Sequence, residues 1–262
     1  MKIGVCTGMN PERIRIAREI GYDFVEGHCQ DLVKASEEQL AEIESIGIPM
    51  LTANCFIGLP IIPERRDDGA VRGYLDTLFS RAERLGLRCL VFGSGGARRL
   101  PENYTHAQGY EAIAAFLREF VLPLAQQTGI CIAIEPLRSK ECNAINTVAE
   151  GLTVASLVDA PEIGVLADVF HMISMGEPLE ALADYKGALF HAHTSDPTPE
   201  PSLGVHRAYP RLGNAFDQAS FLLPLEKAGV ETCAIEADVV DFEADARAGF
   251  EALRGFRTGE CR

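Results

Sequence analysis

The chain has 262 residues, 47% of them hydrophobic and 24% charged, and a formal net charge of −14. That length and apolar share suit a single large core, and so acidic a balance argues against a nucleic-acid partner, whose phosphates call for a basic patch or stripe. No apolar run approaches the ~20 residues of a membrane-spanning helix, and "MKIGVCTGMN" is too short in its apolar part for a signal peptide, so a cytoplasmic protein with no membrane partner is expected.

Short apolar runs alternate with longer amphipathic ones. "KIGVC" reads as the first strand. Its helix runs from Pro11 to Ile20, with Asn10 as N-cap, proline at the first helical position and Gly21 as the stop. "YDFVEG" is strand two, and "SEEQLAEIESIG" is a helix capped by Ser36 and closed by Gly47. "PMLTANCF" is strand three, followed by a helix from Asp68 to Leu87. "RCLVFG" is strand four, and its helix spans Ala107 to Thr128 with a kink or break at Pro123. "ICIAIEP" is strand five and "NTVAEGLTVASLVDA" its helix. "IGVLADVF" is strand six, with a helix reaching Tyr185. "ALFHAHTSD" is strand seven, and a proline-rich loop leads to a helix over Phe216–Ala228. "VETCAIEAD" is strand eight, and the last helix covers Phe242–Leu253. The C-terminal "RTGECR" is expected to fray.

Eight strand–helix units demand parallel pairing, because parallel strands need a crossover. The strands are apolar nearly throughout, as in a sheet covered on both faces. The prediction is one (β/α)₈ TIM barrel, an α/β fold filling residues 1–262 as a single domain. A doubly wound open sheet is the rival, and no strand here runs into the glycine-rich dinucleotide fingerprint. Eight cysteines are present without any CxxC pair, so a zinc ribbon or redox pair is unsupported. Cys6, Cys55, Cys89, Cys131 and Cys233 fall in or beside apolar runs, and reduced, core-filling cysteines are expected.

Active sites of such barrels lie at the C-terminal ends of the strands. Four consecutive strands end in chemistry there: "IAIE" in Glu135, "VLAD" in Asp168, "LFHAH" in His193 and "CAIE" in Glu236. Three carboxylates brought together repel one another, and a divalent cation removes the conflict. Oxygen donors with one imidazole suit Mn²⁺, Mg²⁺, Zn²⁺ or Co²⁺ equally. His191 shares a strand face with His193, so at this level either imidazole qualifies as the ligand. Glu26 at the end of strand two and Asn54 at the end of strand three are expected to face the pocket. The glycines of "FGSGGARR" make either a tight turn or an anion-binding nest, and His28 and His106 read as surface loop residues.

The ordered segments "IAIEPLRSKECN", "LADVFHM", "HAHTSD" and "CAIEAD" resemble the xylose isomerase-like superfamily of barrels, and most closely its ketose 3-epimerase and hydroxypyruvate isomerase-like branch. The resemblance covers nearly the whole chain and is strongest from Ile130 to Asp238. It implies one divalent metal ion held by Glu135, Asp168, His193 and Glu236, with His191 in a supporting role. It also implies substrate contacts from Glu141, six residues after the first ligand, from His171, three after the ligand Asp168, and from Arg207 in "HRAYP".

The expected activity is therefore a metal-dependent sugar isomerase or epimerase on a ketose or small α-hydroxy carbonyl compound, working through an enediolate. Glu135 and Glu236 would form the acid/base pair. A lyase or dehydratase acting on a polyol or inosose uses similar chemistry. An endonuclease-type hydrolase needs extra histidines where Asn54 and Ser94 or Gly95 stand, and an Asp-x-His pair that "VHRAYP" lacks. A non-catalytic sugar- or metal-binding barrel is the remaining class. The expected partners are a carbohydrate and, as the commonest closed assembly, a second copy in a homodimer.

Overall fold

Helix boundaries follow the capping chemistry closely. In the computed structural model, which describes residues 1–198 and 206–257, α1 spans Pro11–Ile20. Asn10 accepts from the backbone N–H groups of Glu12 and Arg13, and Gly21 closes the helix at φ 102°. In α3 (Glu37–Ile46) Ser36 accepts from the Gln39 N–H and Gly47 ends the helix at φ 77°. The cap satisfies donors that a first turn leaves free, and glycine enters the left-handed region without a Cβ penalty.

Eight strands follow in sequence order: β1 Lys2–Cys6, β2 Phe24–His28, β3 Met50–Asn54, β4 Cys89–Phe92, β5 Cys131–Ile134, β6 Ile163–Asp168, β7 Leu189–Thr194 and β8 Thr232–Ile235. Each pairs in parallel with the next, and β8 returns to β1, closing the barrel. The (β/α)₈ expectation is met. The remaining helices are α2 Cys29–Lys34, α4 Asp68–Arg84, α5 His106–Phe116, α6 Leu122–Thr128, α7 Val148–Val158, α8 Val169–Met175, α9 Ala219–Ala228 and α10 Phe242–Leu253. Among the described residues, no helix is long and apolar enough to cross a membrane.

The main core lies between strands and helices, with Ile3, Val5, Ile132, Ile134 and Val165 on the outward strand faces. Two small clusters fill the barrel itself: Phe24, Leu51 and Ala234, and Cys89, Val91, Ala133 and Leu166 with Phe190 against them. Gly4 and Gly164 make room for the Phe24 and Phe190 rings, since a Cβ on either glycine would overlap the ring. Aromatic plugs thus seal the lower barrel, and polar side chains collect near its upper end.

Several boundaries differ from expectation. The helix expected over Ala107–Thr128 begins at His106 and passes through a π-helical turn, Leu117–Val121, before α6. The wider turn precedes Pro123, which has no N–H to donate to an α-helical bond. The helix expected to reach Tyr185 stops at Gly176, and a 3₁₀ turn over Leu179–Asp184 replaces its second half. The helix expected from Phe216 starts at Ala219. The short α2, capped by the ring Nδ1 of His28, was not anticipated. His28 is accordingly the last residue of β2 rather than a loop residue, whereas exposed His106 opens α5. The seven described cysteines are free thiols. Cys261, most of the C-terminal segment and part of the proline-rich loop lie outside the described residues.

Candidate metal centre and active site

Asp168 and His193 are the final and penultimate residues of β6 and β7, while Glu135 and Glu236 immediately follow β5 and β8. The closed barrel turns these four neighbouring ends toward one point. One ligand atom from each of Glu135, Asp168, His193 and Glu236 lies within 4.8 Å of the others. His193 is at the centre. Its Nδ1 is 3.2 Å from Glu135 Oε1, 3.6 Å from Asp168 Oδ2 and 3.1 Å from Glu236 Oε2.

Glu26 determines which nitrogen is available. It was expected to end strand two and face the pocket, but β2 continues for two more residues to His28. At ~3.3 Å per residue that lowers Glu26 into the barrel, where it is fully buried beneath the pocket. One carboxylate oxygen faces His193 Nε2 at 2.8 Å and the other faces His191 Nε2 at 2.8 Å. Thr52 Oγ1 donates to the second oxygen, and Cys6 Sγ lies 3.4 Å from the first. Burial alone would raise the Glu26 pKa, but His193 and His191 hold it well below the usual carboxylate range. An ionised carboxylate only accepts, so both imidazoles present Nε2–H to it. His191 is then anchored by Thr232, whose Oγ1 is 2.8 Å from its Nδ1. His191 therefore sits below the site, and the imidazole at the mouth is His193.

This geometry asks for a cation. His193 Nδ1 faces three carboxylates, and with Nε2 committed to Glu26 a positive charge must sit at or beside Nδ1. Burial disfavours the imidazolium, yet Glu26 and Glu236 raise the His193 pKa well above its ordinary value. Glu236 Oε2 is buried and, among the described residues, has no well-directed hydrogen bond. Three carboxylate oxygens and one imidazole nitrogen are a donor set for Mn²⁺, Mg²⁺, Zn²⁺ or Co²⁺, and the residues present fit such an ion.

Arg207 supplies fixed positive charge beside them. Its Nη1 is 3.1 Å from Asp168 Oδ2 and its Nη2 is 2.8 Å from Glu236 Oε2. Burial works against ionisation of Asp168 and Glu236, but His171 and Arg207 respectively lead the groups that hold both carboxyls below their ordinary values. The Arg207 segment is tied to the end of β8: the Asp238 carboxylate accepts from the His206 and Arg207 N–H groups, and the Asp238 N–H donates to Arg207 O. Phe170 lies under two guanidinium groups, Arg138 at 4.6 Å and Arg207 at 5.2 Å from its ring centre, a cation–π arrangement that sets both arginines at the rim.

The other expected substrate residues gather around a cavity of about 460 Å³, which Glu135, Glu236, Glu141, His171, Arg207 and Asn54 all line. Asn54 Nδ2 donates to Glu236 Oε1 at 2.9 Å. The His171 N–H donates to Asp168 Oδ1, which caps the first turn of α8, and its ring Nδ1 accepts from the Arg138 N–H. Glu141 is half-exposed and paired with Arg138. Of the expected set, only Glu26 lies outside this lining, because of its depth in the barrel.

The "FGSGG" turn works through close contact. Gly93 and Gly95 keep negative φ, so neither is there for left-handed backbone. A Cβ on Gly93 would overlap Glu135 Oε2, and one on Gly95 would press on the Glu141 carbonyl at 2.8 Å. Arg98, fully buried behind the turn, donates to the carbonyls of Phe92 and Glu135 and so ties the ends of β4 and β5 together. Sequence reasoning missed Phe170 and Arg98 as parts of the site, and it read the glycines of "FGSGGARR" as a tight turn or a nest without anticipating that Gly93 makes room for Glu135. For Arg98 a signal exists in "GGARR", where one arginine of the pair falls on a buried face.

The chain belongs to the xylose isomerase-like TIM barrel family, whose description matches residues 14–256. It is 26% identical to the 3-dehydro-D-guloside 4-epimerase of Escherichia coli (strain K12) over 195 residues, 71% of this chain and 73% of that protein. A solved L-ribulose 3-epimerase has the same fold, with a TM-score of 0.78 at 20% identity over 97% of this chain and 94% of the other. So does the IolI protein solved with a binding zinc atom, with a TM-score of 0.76 at 18% identity over 98% and 96% of the two chains.

Proposed function

We propose that this chain is a divalent-metal-dependent sugar epimerase or isomerase, an isomerase acting on a ketose or small α-hydroxy carbonyl compound through an enediolate. The observation that carries this reading is the pair of carboxylates, Glu135 and Glu236, lining one cavity and both within about 3.2 Å of the same imidazole nitrogen. The name of the Escherichia coli relative, a sugar 4-epimerase, points the same way.

Glu135, Asp168, His193 and Glu236 would hold the ion. When bound, the ion supplies Lewis-acid polarisation of the carbonyl and of the hydroxyl beside it. One of Glu135 and Glu236 takes the proton from the carbon next to the carbonyl. The other returns a proton, to the opposite face of that carbon for epimerisation or to the neighbouring carbon for isomerisation. Arg207 balances charge as the oxyanion develops, and His171 and Glu141 orient substrate hydroxyls. Asn54 holds Glu236 in place from the end of β3, across the barrel mouth. The hydrolase alternative loses support at the same positions, because β3 and the β4 turn present Asn54 and Ser94 where imidazoles would be required.

Solvent-deuterium exchange into a panel of ketoses and hydroxy-ketones, read by mass after metal analysis of the purified protein, tests the reading. Exchange at a carbon next to a carbonyl, dependent on metal, is expected. Metal-replete protein that exchanges none of the panel would remove the epimerase assignment.

A further inference from the structure

Cys89 opens β4 and Cys131 opens β5, and the two are Cα partners in the parallel pairing of those strands. Side chains alternate along a strand, so each thiol shares the face of the residue two positions on. Those residues, Val91 and Ala133, pack inside the barrel with Cys89 and Leu166. Both thiols therefore point inward, from neighbouring strands ~4.8 Å apart. They lie at the end of the barrel opposite Glu135 and Glu236, the end that in such folds carries stability rather than chemistry.

A cavity of about 330 Å³ opens beside them. Both cysteines line it, with Leu51, Leu189 and Phe190 as an apolar wall and exposed Lys2, Arg88 and Glu231 at the rim. Cys89 is buried, and Cys131 is partly exposed, which gives a ligand a way in. Neither thiol is primed for oxidation. Burial, and after it the neighbouring Cys131, raises the Cys89 pKa, while burial and then Glu162 raise that of Cys131. Thiol–disulfide exchange needs a thiolate, and both groups hold their protons at neutral pH. A soft cation displaces those protons by ligation itself.

The donor set selects among soft cations. Among the described residues, no third histidine, cysteine or carboxylate atom gathers with these two sulfurs into a group of ligands. Structural zinc takes four ligands, and iron–sulfur clusters take four cysteines. Cu(I) is matched to thiolate sulfur and is satisfied by two such ligands in line.

We propose that Cys89 and Cys131 form a two-coordinate site for Cu(I) at the foot of the barrel, tying β4 to β5. Two S–H bonds break and two S–Cu bonds form. Both protons leave to solvent and the copper stays Cu(I), so no electron is transferred. The resulting bis-thiolate carries one negative charge, and Lys2 and Arg88 against Glu231 set one net positive charge at the rim. The apolar wall keeps competing water from the ion. The site is separate from the divalent-metal centre and does not depend on the epimerase reading.

The test titrates the full chain, kept anaerobic with a thiol-free reductant, against Cu(I) held by bicinchoninate. One copper per chain is expected to leave the chelator and to raise the thermal midpoint, and X-ray absorption should show two sulfur neighbours. Cys89→Ser and Cys131→Ser should each lower affinity by ~100-fold or more, beyond the ~10–100-fold lost with a group that only orients a ligand. Cys89→Ala and Cys131→Ala repeat the comparison without a buried hydroxyl. Cys6→Ser and Cys55→Ser, at the other end of the barrel, should bind copper as wild type does. Wild-type affinity in any variant of Cys89 or Cys131 overturns the inference, as does loss of the copper in Cys6→Ser or Cys55→Ser. Wild-type protein that takes up no copper, with the two thiols free or joined in a disulfide, overturns it as well.

Discussion

His193 Nε2 and Glu26 Oε1 lie 2.8 Å apart inside the barrel, with both side chains wholly shielded from solvent. This contact sets the tautomer of the one imidazole among the metal-ligand candidates and leaves Nδ1 facing Glu135, Asp168 and Glu236. Loss of a carboxylate that orients a ligating histidine typically costs ~10–100-fold in metal affinity. Glu26→Ala should weaken Mn²⁺ binding by about that factor in a calorimetric titration. Glu26→Gln, which keeps one acceptor oxygen, should lose less. Equal affinity in wild type and Glu26→Ala would show that the contact does not position His193.

The two carboxylates assigned to proton transfer make a sharper test of chemistry. Glu135→Gln and Glu236→Gln keep side-chain volume and remove the base, so turnover should fall by ~10²–10⁴-fold while the circular dichroism spectrum stays that of the native fold. Wild-type-like exchange in either variant would remove that residue from the acid/base pair.

Gly93 controls Glu135 from the adjoining strand. Because a Cβ there would overlap Glu135 Oε2, Gly93→Ala must push the carboxylate aside. A displacement of ~1 Å at a reacting group costs on the order of 10²-fold in rate. The expected outcome is a large loss of kcat with little change in thermal midpoint, measured side by side on one preparation.

Arg98 offers the structural counterpart. Replacing it with Met strands the carbonyls of Phe92 and Glu135, which it bridges. Each buried group left unpaired costs ~1–3 kcal/mol, so urea unfolding should show Arg98→Met destabilised by a few kcal/mol. Any loss of metal affinity in this variant should be smaller than that of Glu26→Ala, because Arg98 holds backbone rather than a ligand atom.

Metal removal should lower stability through the same cluster of carboxylates. Ligand at ~100 times its Kd stabilises a folded protein by ~2.7 kcal/mol. Added Mn²⁺ should therefore raise the thermal midpoint of chelator-treated protein, and Asp168→Ala should abolish the rise. Identical midpoints with and without Mn²⁺ in wild type would contradict a metal held by these four residues.

The order of elements, the closed parallel barrel and the convergence of Glu135, Asp168, Glu236 and an imidazole of β7 were legible in the sequence, while the choice of His193 over His191 came from the family resemblance and from the depth of Glu26 in the barrel. Alternation of apolar strands with capped helices specifies the units, and a polar residue closing each of four consecutive apolar runs specifies the end at which chemistry gathers. Depth and mutual distance were left to the tertiary structure. A two-residue extension of β2 moved Glu26 from the pocket to a place beneath it, and closure of the barrel brought its side chain, across the interior, to His191 and His193, which are far away in sequence. The closeness of Gly93 to Glu135, the span of Arg98 across two strand ends, and the pairing of Cys89 with Cys131 arise the same way. Each depends on how neighbouring strands are staggered, and stagger is a property of the closed sheet rather than of any one segment.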